Sequence, residues 1–184
     1  MKKAFTMIEL VFVLVVIGIL AAAIIPRMRT NPVQEAAIDL VSKIRYTQHL
    51  AMSDDKYERT GKWYRNRWQI VFTDNTYSIE HKNNDDSYDY AKDPLNRKDI
   101  DAVKLKGLNA LVLEGGCAGK SIISFDYLGR PLIGSLSLTN FAYTASGNDG
   151  ALLNATCNIK LTNGDETAYI DISKETGYAR IRYI

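Results

Sequence analysis

One carboxylate, Glu9, lies at the start of a segment that is otherwise apolar. From Leu10 to Ile25 the sequence has no charged and no strongly polar side chain. A carboxylate at the centre of a bilayer costs roughly 3 kcal/mol on insertion scales. We therefore expect Glu9 to have a cationic partner or a specific purpose.

A second group of side chains with possible chemistry is acidic. Carboxylate oxygens at short spacing suit Ca²⁺, and the segment between residues 83 and 101 is dense in them. The candidate calcium ligands are Asp85, Asp86, Asp89 and Asp93. The Asp-x-Asp-x-Asp-Gly pattern is absent, so a solvated loop is the favoured interpretation and no cofactor or metal is firmly predicted.

A third group, from Lys56 to Trp68, interleaves basic and aromatic residues. Such mixtures can bind single-stranded nucleic acid by stacking and charge, or they can contact another protein. Acidic residues dilute the charge of this stretch: Asp54, Asp55 and Glu58. Trp68 follows a strand pattern and is expected in the core.

Composition and motifs exclude several classes of protein. The chain has 184 residues, a net charge of +2 and 46% hydrophobic residues, which favours one domain with an appendage over a disordered chain or a dedicated nucleic-acid binder. It has no nucleophile elbow, no phosphate-binding glycine loop and no His/carboxylate pair near a cysteine. No enzymatic activity and no catalytic residues are expected.

The apolar segment must position Glu9. As a helix, residues 5–25 would extend about 31 Å, which matches a bilayer core of roughly 30 Å. Lys2 and Lys3 would hold the N-terminus on the cytoplasmic side. A secretory signal peptide cut after Ala23 and a plain membrane anchor are alternatives, but both leave Glu9 unexplained.

Residues 4–10, Ala-Phe-Thr-Met-Ile-Glu-Leu, followed by the apolar run and Pro26, resemble the N-terminus of type IV pilins and type II secretion pseudopilins. The resemblance implies a leader, residues 1–4, that prepilin peptidase removes between Ala4 and Phe5, with N-methylation of Phe5. It also implies that Glu9 pairs with the Phe5 ammonium of a neighbouring subunit. Ala4 stands where the family usually has glycine, and alanine is the smallest alternative.

The rest of the chain predicts a second helix and a β-rich headpiece. Residues 26–53 carry one apolar face at helical spacing, and residues 54–184 show alternating strands and turn signals from Trp63 onward. A long loop is expected at 83–101 and a strand at 136–141. The predicted fold class is α+β, pilin-like: a long N-terminal helix, membrane-spanning in its first half and amphipathic in its second, packed on a mostly antiparallel headpiece.

Two headpiece segments add a finer resemblance. Residues 123–131 contain Phe-Asp-Tyr-Leu-Gly-Arg-Pro and resemble the FD-x-x-GRP stretch of H-type minor pseudopilins, and residues 170–177 are similar to the final hairpin of that family. The resemblance implies a structural subunit of a type II secretion pseudopilus. The alternative is a minor type IV pilin that binds DNA for uptake. In that alternative, a small group of basic residues near the C-terminus would contact the DNA. These residues are Lys174, Arg180 and Arg182.

The same resemblance implies location and partners. The chain would be a single-pass protein of the bacterial inner membrane, with a cytoplasmic N-terminus and a periplasmic headpiece. Its partners would be the prepilin peptidase/N-methyltransferase, other pseudopilins or pilins and the assembly platform, with DNA added in the alternative. Because the periplasm is oxidising, Cys117 and Cys157 are expected to form a disulfide; two free thiols are the other possibility.

Overall fold

The computed structural model describes residues 6–24, 31–59 and 61–183. The chain divides into two compact units, Met1–Asn31 and Pro32–Ile184. The predicted cleavage and methylation residues, Ala4 and Phe5, lie outside the described residues.

The first unit contains helix α1, Met7–Ile24. Its large apolar side chains are exposed, and Phe12, for example, is 68% exposed. Within the described ranges, no helix reaches the combined length and apolarity required to cross a membrane.

The second unit begins with helix α2, Pro32–Ser53. Proline suits the first position of a helix because its missing N–H would have no intrahelical acceptor there. The sequence pattern predicts the buried face of α2, and this prediction is confirmed. The buried residues are Val33, Ala36, Ala37, Leu40, Val41, Ile44, Thr47 and Ala51.

Within the described residues, eleven strands follow α2 and form two sheets. In chain order they are β1 Gln69–Thr73, β2 Thr76–Lys82, β3 Tyr88–Tyr90, β4 Val103–Lys104, β5 Ala110–Gly115, β6 Ile122–Phe125, β7 Pro131–Ile133, β8 Ala151–Leu152, β9 Cys157–Thr162, β10 Thr167–Ile172 and β11 Ala179–Tyr183. The first sheet has the order β3-β2-β1-β6-β7-β8, with β4 also paired to β2, and the second has the order β11-β10-β9-β5. Every strand pair is antiparallel, which confirms the α+β class.

The core lies where the apolar face of α2 covers both sheets. Ile44 of α2, Ile70 of β1 and Ile170 of β10 are fully buried in one cluster. A polar contact also attaches α2 to the first sheet, because the Tyr77 hydroxyl of β2 donates to Asp39 of α2 at 3.1 Å. The α2 helix and the sheets therefore form a single compact headpiece.

Two local expectations are wrong. The segment expected as a strand at 136–141 forms a short 3₁₀ helix, Leu136–Leu138. The segment expected as a loop at 83–101 contains β3 and a further bridge between Lys92 and Asp99. Because none of these pieces is longer than three residues, no hydrophobic periodicity could develop in them.

Candidate functional site

In the first turn of α1, the backbone of Glu9 is hydrogen-bonded to Thr6. The Glu9 N–H donates to the Thr6 carbonyl oxygen at 3.1 Å and lies 3.3 Å from the Thr6 hydroxyl. This is the Thr-x-x-Glu arrangement of a helix N-terminal capping box, in which an acidic side chain also interacts favourably with the helix dipole. Sequence reasoning missed Thr6 as the capping residue, although its spacing from Glu9 signals it.

The predicted partner of Glu9, the amino group of a processed Phe5, lies outside the described residues. The pairing between subunits, the cleavage after Ala4 and the methylation of Phe5 therefore stay predictions. Capping and pairing use different parts of Glu9, because the cap uses its backbone N–H and the pairing would use its carboxylate.

The FD-x-x-GRP segment forms a turn around a buried carboxylate. Asp126 is fully buried, and its Oδ1 accepts from the N–H groups of Leu128 and Arg130 at 3.0 and 2.8 Å. Its Oδ2 accepts from Arg130 Nε at 2.8 Å and from the Tyr143 hydroxyl at 3.1 Å. The aspartate and the arginine of the motif are therefore partners in one closed turn.

The same turn meets the final hairpin at the C-terminal end of α2. Gln48 Nε2 donates to the carbonyl oxygen of Gly129 at 2.8 Å and to that of Thr176 at 2.7 Å. Gly177 has a φ of +65°, and a Cβ there would lie 2.4 Å from the Gly129 carbonyl oxygen. Glycine is therefore required at 177, and the two segments with family resemblance form one corner of the headpiece.

This corner presents apolar side chains to solvent. Met52 at the end of α2 and Tyr127 and Leu128 of the turn are 55%, 49% and 55% exposed. We call these three residues the corner patch. Asp126 accepts from the Leu128 N–H and Gln48 holds the neighbouring Gly129 carbonyl, so the turn part of the patch is a pre-organised surface suited to contact with another protein.

The structure does not bring the four calcium candidates together. Asp93 pairs with Lys43 at 2.6 Å, and the hydrogen bond from Lys43 lowers the pKa of Asp93. The others have separate surroundings: Asp85 accepts from Ser87, Asp86 pairs with Lys82, and Asp89 lies opposite His81 in the β2–β3 ladder. In the part of the chain that the structure describes, no group of three His, Cys, Asp or Glu side chains is arranged to hold a metal ion. The calcium prediction is therefore not supported.

The basic and aromatic side chains between Lys56 and Trp68 contact each other. Trp68 is 8% exposed, and its Nε1 donates to Asp54 at 2.9 Å, as Lys56 also does at 2.6 Å. The Arg67 guanidinium is buried and lies 5.0 Å from the centre of the Trp63 ring. A stacking platform for nucleic acid needs free aromatic faces. Arg67 occupies one face of Trp63 and Trp68 is buried, so Tyr57, at 64% exposed, is the aromatic side chain of this stretch that stays largely open to solvent.

The C-terminal arginines are also partly neutralised. Arg180 and Arg182 lie 3.6 and 3.2 Å from the Asp171 carboxylate, which also accepts from Asn158 at 2.7 Å. Burial opposes ionisation of Asp171, but the bonds from Arg182 and Asn158 outweigh it and hold its pKa below the ordinary value. The carboxylate therefore stays charged and compensates the two arginines.

The predicted disulfide is present between Cys117 and Cys157, with a Cα–Cα distance of 5.0 Å. Both cysteines are fully buried. The bridge joins the turn after β5 to the first residue of β9, so it holds one end of the second sheet.

His81 lies against a fixed cation. Its Nε2 is 3.4 Å from Lys56 Nζ, and its ring contacts Trp68 edge to face. Burial, followed by the charge of Lys56, lowers the pKa of His81, against the opposing charges of Asp89 and Asp54. The neutral ring therefore accepts from Lys56, and a protonated ring would be repelled by it.

We expect the headpiece to lose stability as the pH falls from about 7.5 to about 6. Below its ordinary pKa of about 6.5, the unfolded histidine takes up a proton that the folded one resists, so stability falls by at most about 1.4 kcal/mol per pH unit. Urea unfolding of the full chain in detergent at several pH values measures this slope. Burial raises the pKa of Glu80, which acts in the opposite direction at lower pH, so the comparison stops near pH 6.

His81→Gln is the matched control, because glutamine can accept from Lys56 and does not titrate. The variant should show a flatter profile over this range. An equal slope in both proteins would mean that another group causes the loss.

The comparison with known families identifies the N-terminal segment. The family model described as the prokaryotic N-terminal methylation motif matches residues 1–25. No curated protein and no solved structure matches the chain. The chain therefore carries at residues 1–25 the prepilin signal of type IV pilins and pseudopilins, a motif that implies a membrane-anchored, pilin-like precursor processed by prepilin peptidase and assembled with other pilins.

Proposed function

We propose that this precursor is a structural subunit, an H-like minor pseudopilin of a type II secretion pseudopilus. The observation that carries the proposal is the corner of the headpiece. The FD-x-x-GRP turn and the final hairpin turn, which resemble H-type segments, are joined there through Gln48. The function is assembly, and we propose no enzymatic activity.

The two units of the chain have distinct tasks in this proposal. Before assembly, α1 lies in the inner membrane, where lipid surrounds its exposed apolar side chains. After assembly, the same side chains are buried among the helices of the fibre. Phe5 and Glu9 are four residues apart, about 6 Å along a helix, so a small axial stagger pairs them between subunits. The headpiece faces the periplasm, and its corner patch contacts other minor subunits.

The mature N-terminus tests the processing step. Mass spectrometry of protein from native membranes should find a chain that begins at N-methylated Phe5. An Ala4→Gly variant should be processed at least as fast, because it restores the residue usual in the family. A chain that begins at Ile24 would instead show signal-peptidase cleavage after Ala23 and would contradict fibre assembly.

DNA capture by a minor type IV pilin is the alternative function. The pairing of Arg180 and Arg182 with Asp171 argues against it. We expect the full chain in detergent to bind duplex DNA weakly, with little change between low and high salt. Phosphate contacts would give a steep fall in affinity with salt, and that result would favour uptake over secretion.

A further inference from the structure

A groove lies between the exposed side of α2 and strand β11, and we call it the α2–β11 groove. Its volume is about 540 Å³, with Ile38 and Arg45 of α2 on one wall and Ile181 and Tyr183 of β11 on the other. Arg45 donates to the carbonyl oxygen of Ala179, the first residue of β11. Since Ile38 lies two turns before Arg45, the groove extends for about 10 Å along the helix.

Large apolar and aromatic side chains in the groove are open to solvent. Ile38, Tyr178 and Tyr183 are each more than half exposed. Among the described residues, no acidic side chain and no lysine lines the groove, and its charged residues are Arg45 and Arg180. Aromatic residues and arginine are enriched in protein–protein interfaces, whereas lysine and acidic residues are depleted there. An exposed apolar patch with a polar rim is typical of such a contact site.

Two contacts of Arg45 fix part of this surface in the free chain. Its Nε and Nη2 donate to the carbonyl oxygen of Ala179 at 3.2 and 2.8 Å, and its guanidinium lies 5.3 Å from the centre of the Tyr178 ring. Because both side chains are already ordered, binding costs less conformational entropy. The bond to Ala179 also occupies a carbonyl of the edge strand, which disfavours the addition of a further strand there.

The charges beside the groove are not balanced within the headpiece. Arg180 and Arg182 share the carboxylate of Asp171, and the acceptor of Arg45 is an uncharged carbonyl. A partner that supplies a carboxylate would therefore be attracted to this surface. A DNA backbone could supply negative charge, but it would leave the apolar side chains of the groove uncovered. A protein segment with one apolar face and an acidic side chain satisfies both requirements.

From these observations we propose that the α2–β11 groove binds an amphipathic helix of another pilin-type subunit, with a carboxylate beside Arg45 and Arg180. A helix is favoured over a strand because the edge carbonyl is occupied and α2 offers a surface for helix–helix packing. The type of partner rests on the proposed function, in which both chains leave the same membrane in the same direction, so that the two helices run parallel. An aliphatic residue of the partner then covers Ile38, and its carboxylate follows about seven residues later.

Photocrosslinking in native membranes tests the partner. The photoreactive p-benzoylphenylalanine replaces Tyr183 in the full chain, and mass spectrometry identifies the linked peptide. We expect a peptide from the helix that follows the methylation motif of another protein, with aspartate or glutamate about seven residues after an aliphatic residue. The same replacement at Tyr88, an exposed tyrosine of the edge strand β3, is the matched control and should give about tenfold less of this adduct.

Charge variants at Ser42 test the chemistry of the partner. Ser42 is exposed and lines the groove one turn before Arg45, and both glutamate and lysine are good helix formers. Ser42→Glu should lower the yield of the adduct about tenfold, because like charges then meet across the contact. Ser42→Lys is the matched control of similar size and should keep or raise the yield. Equal losses in the two variants would show that the partner is not recognised by its charge.

The remaining outcomes separate this inference from the proposed function. An adduct with DNA, an adduct through a strand or loop of the partner, or no adduct from position 183 would each overturn the groove proposal. The mature N-terminus is measured on the same membranes. A chain that begins at methylated Phe5 but gives no adduct would contradict the groove alone, and a chain that begins at Ile24 would contradict both proposals.

Discussion

A Glu9→Val variant is expected to remain in the membrane but to be recovered from fibres at least tenfold less than the native chain. Valine makes the apolar segment more apolar, so membrane insertion is retained. The carboxylate that would neutralise the Phe5 ammonium of the neighbouring subunit is lost, so a buried charge in the assembled fibre would have no partner. Immunoblots of isolated fibres and of membranes, with the native chain as reference, measure the two populations.

Glu9→Gln tests whether the charge of this residue is what assembly requires. Glutamine can replace glutamate in a capping box, and the observed bond from the residue 9 N–H to Thr6 does not involve the side chain of Glu9. Glutamine has no charge to offer the ammonium. We therefore expect Glu9→Gln to fail in assembly as Glu9→Val does. Normal recruitment of the glutamine variant would show that assembly does not require the charge of Glu9.

The parts of the fold that follow from periodicity were predictable from the sequence. The buried residues of α2 recur at helical spacing over the whole helix, from Val33 to Ala51. Each turn of the helix therefore adds to the evidence for a buried face. The alternation of β1 is equally clear, and Ile70 and Phe72 are buried there. In a long helix or strand with one buried face, the apolar residues recur at a regular spacing, and this spacing can be recognised in the sequence.

The parts that depend on contacts between distant residues were not predictable. Gln48 lies 81 residues from Gly129 and 128 residues from Thr176, and no local pattern marks it as the residue that joins them. Among the acidic residues between 83 and 101, Asp93 has a partner that is also distant in the sequence, because Lys43 lies 50 residues before it. The position of β5 at one end of the second sheet is also a property of sheet order, which the strand's own sequence does not contain.

Removal of the disulfide is expected to lower the free energy of unfolding by about 4 kcal/mol, the chain-entropy value for a loop of about 40 residues. Cys117 and Cys157 are 40 residues apart, so the bridge excludes many extended conformations of the unfolded chain. A Cys117→Ala/Cys157→Ala double variant removes the bridge without burying new polar groups. Urea unfolding of the full chain in detergent, followed by the fluorescence of Trp63 and Trp68, measures the loss.

Two controls distinguish the bridge from the packing of its sulfur atoms. Reduction of the native chain should give a similar loss, since it keeps both side chains. A Cys117→Ser/Cys157→Ser variant should lose more, because both positions are fully buried and an unsatisfied hydroxyl adds about 1–3 kcal/mol. Hydrogen exchange should increase most in β5 and β9, the strands beside the bridge, and less in β1 and β2. A loss below about 1 kcal/mol on reduction would mean that the ladder with β9, and not the bridge, holds β5 in place.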